Sequence, residues 1–434
     1  MSNLIKSYSI ISLDYEEPYI FFNNIERDFM PTMLTGDGPK DITKESYIGI
    51  KPFKRVIFNN YTFWDELRNL VDSCNFHKLK YPVNRLGGIG FISYEALHSI
   101  EKIEKKTYDL YELPIAEWIL YNRYYYFNHE QNQLFQIDIE YETQNQIIGT
   151  NYNDTGFKVN NLTPDYSKTE YIDNVIKVQE KIISGDVYEV NLTQSILGDF
   201  SGSPYSLFKK LYSINKSPFS AYMERPEYSI ISNSPELFLK AEKSLIETRP
   251  IKGTCKRGIS LEEDNLLEQT LLDSSKNQAE LFMIIDLMRN DLSRVSKVGS
   301  VKVLNKKIIE KYKNVHHLVG IVQSELEDNK DYIDLFKATF PGGSITGCPK
   351  VSCMKLTEEI EKSSRNIYTG SIFIMNKELL NSSIVIRTAI VQNNKIILNS
   401  GGAITIDSDP LEEYEETLVK LDSLFKAVGF ENKL

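Results

Sequence analysis

Short runs of apolar and aromatic residues, repeatedly cut by turn formers, restrict this chain more than any other feature. Tyr19-Ile20-Phe21-Phe22, Tyr47-Ile48-Gly49-Ile50 and Tyr124-Tyr125-Tyr126 alternate with turn residues, and residues 1 to about 150 read as rich in strands. Gly87-Gly88-Ile89-Gly90-Phe91 reads as a tight turn into a strand. No clear helix follows it, which argues against a nucleotide-binding loop. Residues 142–168 are polar, rich in Asn, Thr and Asp, and read as a linker between an N-terminal region (1–150) and a second region (165–434).

Helices are fewer but well marked. Ser167-Lys168-Thr169-Glu170 is a capping box. Ile172, Val175, Ile176, Gln179, Ile182 and Ile183 follow helical spacing up to Gly185, apolar except at Gln179. A strand is expected from Val187 to Gln194. One face carries Tyr188, Val190 and Leu192, and the other carries Glu189, Asn191 and Thr193. That polar face is either solvent-exposed or the floor of a polar site. Further helices are expected at Ala279–Arg289, from Pro349, and at Pro410–Val428. Strands are expected through Ile230–Thr254, near Val301 and Leu318, at Gly370–Met375 and Ser383–Val391, and at Ile396.

Composition excludes some functions. A formal charge of −10 argues against a nucleic-acid surface. No apolar run approaches the roughly 20 residues of a membrane helix, and the first residues are too charged for a signal peptide. A soluble, cytoplasmic protein without membrane or nucleic-acid partners is expected. Cys74, Cys255, Cys348 and Cys353 show no metal spacing and read as free thiols.

Several weak signals could join in one site. Lys252 lies in the turn-rich stretch Arg249-Pro250-Ile251-Lys252-Gly253-Thr254. A primary amine near acids and a metal can act as a nucleophile if its pKa is pulled down. Glu413, Glu416 and Lys420 share a helix face, which is either a solvated face stapled by Glu416 and Lys420 or a place for a hard cation such as Mg2+. Glu280 opens a largely apolar helix, where a carboxylate needs a partner. Arg387, with Tyr368 upstream, suits a planar carboxylate. Ser400-Gly401-Gly402-Ala403 reads as a turn whose amides could approach a ligand. His317 adds little by itself. Together these groups describe a site for a small substrate with two carboxylates.

The ordered motifs resemble the chorismate-utilising enzymes. They are Pro250-Ile251-Lys252-Gly253-Thr254, Ala279-Glu280, Asp286-Leu287, Arg289-Asn290-Asp291-Leu292 and His317-Leu318-Val319. Phe340 to Lys350, Ile386-Arg387-Thr388, Asp407-Ser408-Asp409-Pro410 and Glu413 to Thr417 complete the order. The resemblance spans roughly residues 165–430 and is weaker before them, mainly Gly87 to Tyr94. It implies an α+β fold of two facing β-sheets flanked by helices, with the active site in the cleft.

It also implies roles. Glu236 would be the general acid on the leaving C4 hydroxyl, and Lys252 the nucleophile at ring C2. Ammonia would then enter at C4 and expel the lysine. Glu280 and Glu416 would bind Mg2+ on the ring carboxylate, with Glu413 in support. Tyr368 and Arg387 would hold the enolpyruvyl carboxylate, while Gly401, Gly402, Ala403 and Lys420 would contact the ring carboxylate. His317 and Ser344 would line the C4 side.

Within the family, Lys at position 252 resembles the branch that aminates chorismate at C4 in folate synthesis, where the anthranilate-forming branch typically carries Ala. Anthranilate synthases and isochorismate or salicylate synthases are the alternatives. The position that holds a water-activating Lys in the last group is Glu189 here, and its role stays open. An Asp common before the metal Glu is Asn277. The N-terminal Leu-Leu-Glu-Ser motif of tryptophan feedback is absent. So is a Gly-x-Cys-x-Gly glutaminase elbow, so ammonia is expected from a separate glutamine amidotransferase subunit or from solution.

Overall fold

A computed structural model describes residues 4–26, 29–143, 147 and 155–430. Among the described residues, twenty strands join in one hydrogen-bonded, antiparallel network, with helices outside it. The two expected sheets are two arms of this network. They share the long strand Ala116–Asn128, which pairs along one edge with Glu45–Phe58 and along the other with Gly88–Ile92 and Gln133–Tyr141. One arm runs from Glu45–Phe58 through Thr32–Thr35, Phe219–Glu224, Ser229–Ser234, Thr388–Gln392 and Lys395–Ile404 to Glu189–Gly202. The other runs from Gly88–Ile92 through Ser371–Met375, Leu379–Ile384, Leu237–Glu242 and Leu245–Thr248 to Val315–Glu325. Two of the chain's passages between the arms are short straps, a first crossing from Ser234 to Leu237 and a second from Ile384 to Thr388. Strands from both sides of residues 142–168 thus pair directly.

Several expectations shift. Part of the supposed linker, Phe157–Pro164, is a strand paired with Glu189–Gly202; residues 144–146 and 148–154 of it lie outside the described residues. Tyr19 to Phe22 is no strand. Pro18 opens the helix Pro18–Asn24, and Phe22 is buried beneath it against Tyr205 and Tyr222. The capping box does start the helix Lys168–Ile183, but its buried stripe is Tyr171, Asn174, Val175 and Val178. Ile176 and Ile183 are 42% and 74% exposed. Both stripes obey helical spacing. The Tyr171 side decides because its ring meets Tyr414 and its hydroxyl donates to the Leu192 carbonyl at 3.2 Å. The helix expected at Ala279–Arg289 is longer, Ser275–Ser293, and follows a helix that the sequence reading missed, Leu261–Asp273. The Ser383–Val391 strand is broken at the second crossing, and the last helix divides into Pro410–Lys420 and Asp422–Val428. Pro349 is the N-cap of the helix Lys350–Ile360, one place before the expected first turn.

Glycines at Gly88 and Gly90 let the arms' root close. A Cβ at Gly88 would stand 1.8 Å from Trp118 Nε1, and one at Gly90 would stand 2.0 Å from the Glu117 carbonyl. All four cysteines are free. Among the described residues, no helix is long and apolar enough to cross a membrane.

Candidate active site

The strand Ile251–Lys256 carries Lys252 and pairs with Val315–Glu325, but its register slips between Ile251 and Thr254. Gly253 makes that slip possible. Its φ is +83°, and a Cβ there would meet Asn277 Cγ at 2.8 Å. The irregularity holds Lys252 inside the cleft, where it is buried. Its Nζ donates to Glu189 Oε1 at 2.6 Å and stands 3.9 Å from Glu280 Oε2.

This corrects the electrostatic expectation. Burial alone pulls the Lys252 pKa down, yet Glu189 and Glu280 outweigh it and hold the amine above its ordinary value. Lys252 is therefore an ammonium here, because its nearest neighbours are anions. Glu189 faces the cleft from the opposite arm and is buried with Asn191 and Thr193, so the polar face of that strand is a floor and not a solvated surface.

Glu236 sits at the first crossing, where its carbonyl accepts from the Ile384 amide at 3.1 Å. Burial pushes its carboxyl up to about 7, against opposing contributions from the Ser344 hydroxyl, the Ile251 amide and Lys252. Ser344 lies in the short turn Gly343–Ile345. His317 is paired across the ladder with Thr254, and its Nδ1 is 2.8 Å from the Thr254 hydroxyl. Burial, aided by Arg387 and His316, depresses His317 to about 3 and keeps it neutral.

A second group faces these from the last helix. Asp409 caps that helix by accepting from the amides of Leu411 and Glu412. Glu413 is buried; one oxygen accepts from Ser408 at 2.6 Å, and the other, Oε2, has no hydrogen-bond partner. Glu416 pairs with Lys420 at 2.7 Å and keeps about half its side chain exposed, so the stapled helix face is real. Burial raises the pKa of Glu413 and Glu280. Glu416 is held below the ordinary carboxylate range, where Lys420 overcomes its burial. Lys276 acts on all three acids and was missed in the sequence.

Lys420 Nζ also donates to the Gly401 carbonyl at 2.8 Å, and Arg387 donates to the Lys420 carbonyl. Arg387 has φ +54° at the second crossing, and burial lowers its pKa. Tyr368 is buried and its hydroxyl pKa is raised by burial. Gly401, Gly402 and Ala403 form no turn. They continue the strand Lys395–Ile404 opposite Thr193, Leu192 and Asn191. Glycine at 402 leaves room for Glu413, whose Oε2 would be 2.9 Å from an added Cβ.

The sequence reading also missed what braces the floor. Arg365 donates to Glu361 and to the carbonyls of Ile345 and Asn191, while Glu361 accepts from the Thr193 amide at 2.9 Å. Only their i, i+4 spacing hints at the pair.

Glu280, Glu413 and Glu416 fit a hard divalent cation in donor chemistry. They are oxygen ligands coupled to one another, and the buried Glu413 oxygen lacks a partner. Mg2+ suits such a set, because it takes one or two protein carboxylates and keeps several waters.

Comparison with known proteins places this cleft. The chorismate binding enzyme family matches residues 32–426. The chain belongs to that family. It is 36% identical over 368 residues to aminodeoxychorismate synthase component 1 of Bacillus subtilis, covering 80% of this chain and 78% of the relative. It is 35% identical over 378 residues to anthranilate synthase component 1 of Aquifex aeolicus, covering 81% and 76%. The crystal structure of anthranilate synthase component I from Streptococcus pneumoniae superposes with a TM-score of 0.75 at 25% identity, covering 88% of this chain and 92% of that one. The chorismate-binding enzymes share the α+β architecture described above, and this chain is an enzyme of chorismate.

Proposed function

We propose that this chain is an aminodeoxychorismate synthase component 1, converting chorismate and ammonia to 4-amino-4-deoxychorismate and water for 4-aminobenzoate and folate synthesis. The observation that carries the reading is the buried Lys252 amine held between the arms, with a protonatable Glu236 beside it.

Lys252 begins as an ammonium. Glu189, 2.6 Å away, takes one of its protons. The freed amine attacks ring C2 while the double bond shifts and the C4 hydroxyl leaves as water, with the proton from Glu236. Ammonia then adds at C4, the double bond shifts back, and the C2–N bond breaks. Lys252 recovers its proton from Glu189, and the new ammonium yields one to Glu236. Neutral His317 and Ser344 line the C4 side. Arg387 and Tyr368 orient the enolpyruvyl carboxylate, and Lys420 with the Gly401–Ala403 backbone faces the ring carboxylate. Glu280 and Glu416, supported by Glu413, would hold Mg2+, which when bound offsets the ring carboxylate's charge among so many acids. A separate glutamine amidotransferase would supply the ammonia.

The test is product analysis after incubation with chorismate, Mg2+ and ammonia, with and without the ammonia. The expected product is 4-amino-4-deoxychorismate, formed only with ammonia. Anthranilate formation would assign the chain to the anthranilate branch. Turnover without ammonia would make it an isochorismate or salicylate synthase, and chorismate binding without consumption would leave a non-catalytic partner.

A further inference from the structure

Behind the cleft, Glu95, His98 and Glu358 bring ligand atoms within 4.8 Å of one another. Glu95 and His98 lie on the turn Tyr94–Ser99, and Glu358 on the helix Lys350–Ile360. Their side chains are only 5–6% exposed.

Each residue uses one polar atom to fix itself and leaves the other aimed at a common point. Glu95 Oε1 accepts from the Asn366 amide at 3.2 Å. His98 Nδ1 is 3.0 Å from the Ile103 carbonyl, the kind of partner that orients a ligating imidazole. Without a metal, Glu358 and Glu95 overcome burial and raise the imidazole to about 9, so a cation entering here displaces a proton. Glu358 Oε2 accepts from the amides of Lys106 and Thr107 at 2.9 and 3.2 Å and from the Thr107 hydroxyl at 3.2 Å. The remaining atoms converge. His98 Nε2 is 3.5 Å from Glu95 Oε2 and 3.5 Å from Glu358 Oε1. Both His98 Nε2 and Glu95 Oε2 are buried and make no hydrogen bond.

A separation of 3.5 Å is long for a hydrogen bond. It is the edge of a tetrahedron whose centre lies about 2.1 Å from each corner, the bond length of nitrogen and carboxylate oxygen to zinc. Lys105 Nζ is the nearest other cation, 4.0 Å from Glu95 Oε2, but it is engaged with Asp109 at 2.6 Å.

We propose that Glu95, His98 and Glu358 form a second metal site, separate from the acids of the cleft and selective for a first-row transition cation of the zinc class. One imidazole and two carboxylates suit such an ion better than Mg2+, and water completes the tetrahedron. The ion clamps the Tyr94–Ser99 turn and the Lys106–Thr107 segment to the helix that leads into Glu361 and Arg365, the braces of the catalytic floor.

The test uses the full chain, stripped of metal and returned to buffer with excess Mg2+, then titrated with Zn2+ by calorimetry. One equivalent should bind. His98→Ala should weaken it by about a hundred-fold, and Glu280→Gln should leave it unchanged. Zn2+ binding that survives His98→Ala, or that is lost in Glu280→Gln, overturns the proposal. So does failure of the intact chain to bind Zn2+, which would leave a protonated His98 as the only occupant of the gap. Should His98→Ala not fold, Co2+ substituted into the unaltered protein decides. Intense visible absorption of a tetrahedral ion supports the site, and a weak octahedral spectrum refutes it.

Discussion

Lys252 and Glu236 need opposite treatment within one cleft, and their surroundings supply it unequally. Glu236 is carried toward its protonated form by burial, up to about 7. If it is the acid, turnover should fall about tenfold per unit as pH rises above about 7. A pH profile of kcat measures this, and Glu236→Gln should cost ~10²–10⁴ in rate and abolish that limb. The same shift bears on stability. The folded pKa lies above the ordinary 4.5, so the acid's contribution is fully present below about 4.5 and disappears as pH rises through about 7. The loss is roughly 3 kcal/mol. Urea denaturation above pH 7 should show Glu236→Gln to be more stable than the parent by up to that amount, with little difference near pH 4. Lys252→Ala should lose most product formation, and unchanged turnover would refute the covalent route. The Lys252 charge was illegible in the sequence, because its controlling partner, Glu189, is 63 positions away and on the other arm.

The last helix joins local chemistry to the site at the scale of a secondary element. Its Asp409 cap fixes the first turn, which carries Glu413 and leads into the turn of Glu416. Asp409→Ala should cost ~1 kcal/mol in denaturant melts. Glu416→Gln should weaken the Mg2+ dependence and raise the apparent chorismate requirement; an unaltered Mg2+ titration removes that acid from the metal shell. Elements with their own punctuation were readable from sequence, as the Ser167 capping box and Gly185 stop demonstrate. Those decided by neighbours were not. Gly401-Gly402 looks like a turn, yet the glycines serve close packing against Leu192 and Glu413 inside a strand. The helix Leu261–Asp273 has a readable Ser260 cap but buries only Asp264 and Leu271, too little to mark a stripe. The motif residues of the site were legible as an ordered set, whereas the Arg365–Glu361 brace and Lys276 show their purpose only in three dimensions.

The whole molecule depends on the root of the two arms. Glu117 on the shared strand is fully buried; it accepts from Arg55 at 2.6 Å, from Arg225 at 2.5 Å and from the Tyr228 hydroxyl at 2.8 Å. Those two guanidiniums raise no difficulty while Glu117 stays ionised, as its lowered pKa requires despite burial. Glu117→Ala would strand buried positive charge and should cost ~3–5 kcal/mol in urea unfolding. A loss under about 1 kcal/mol would show that water reaches the root. The two crossings have a mechanical corollary. Glu236 and Arg387 stand on two neighbouring backbone straps that tie the arms together, and main-chain hydrogen bonds join the straps, from the Ile384 amide to the Glu236 carbonyl at 3.1 Å and from the Asn233 amide to the Arg387 carbonyl at 3.2 Å. Lys252 and Glu189 ride on opposite arms and touch only through side chains. Breathing of the cleft can therefore alter the Lys252–Glu189 contact while Glu236 and Arg387 keep a constant gauge.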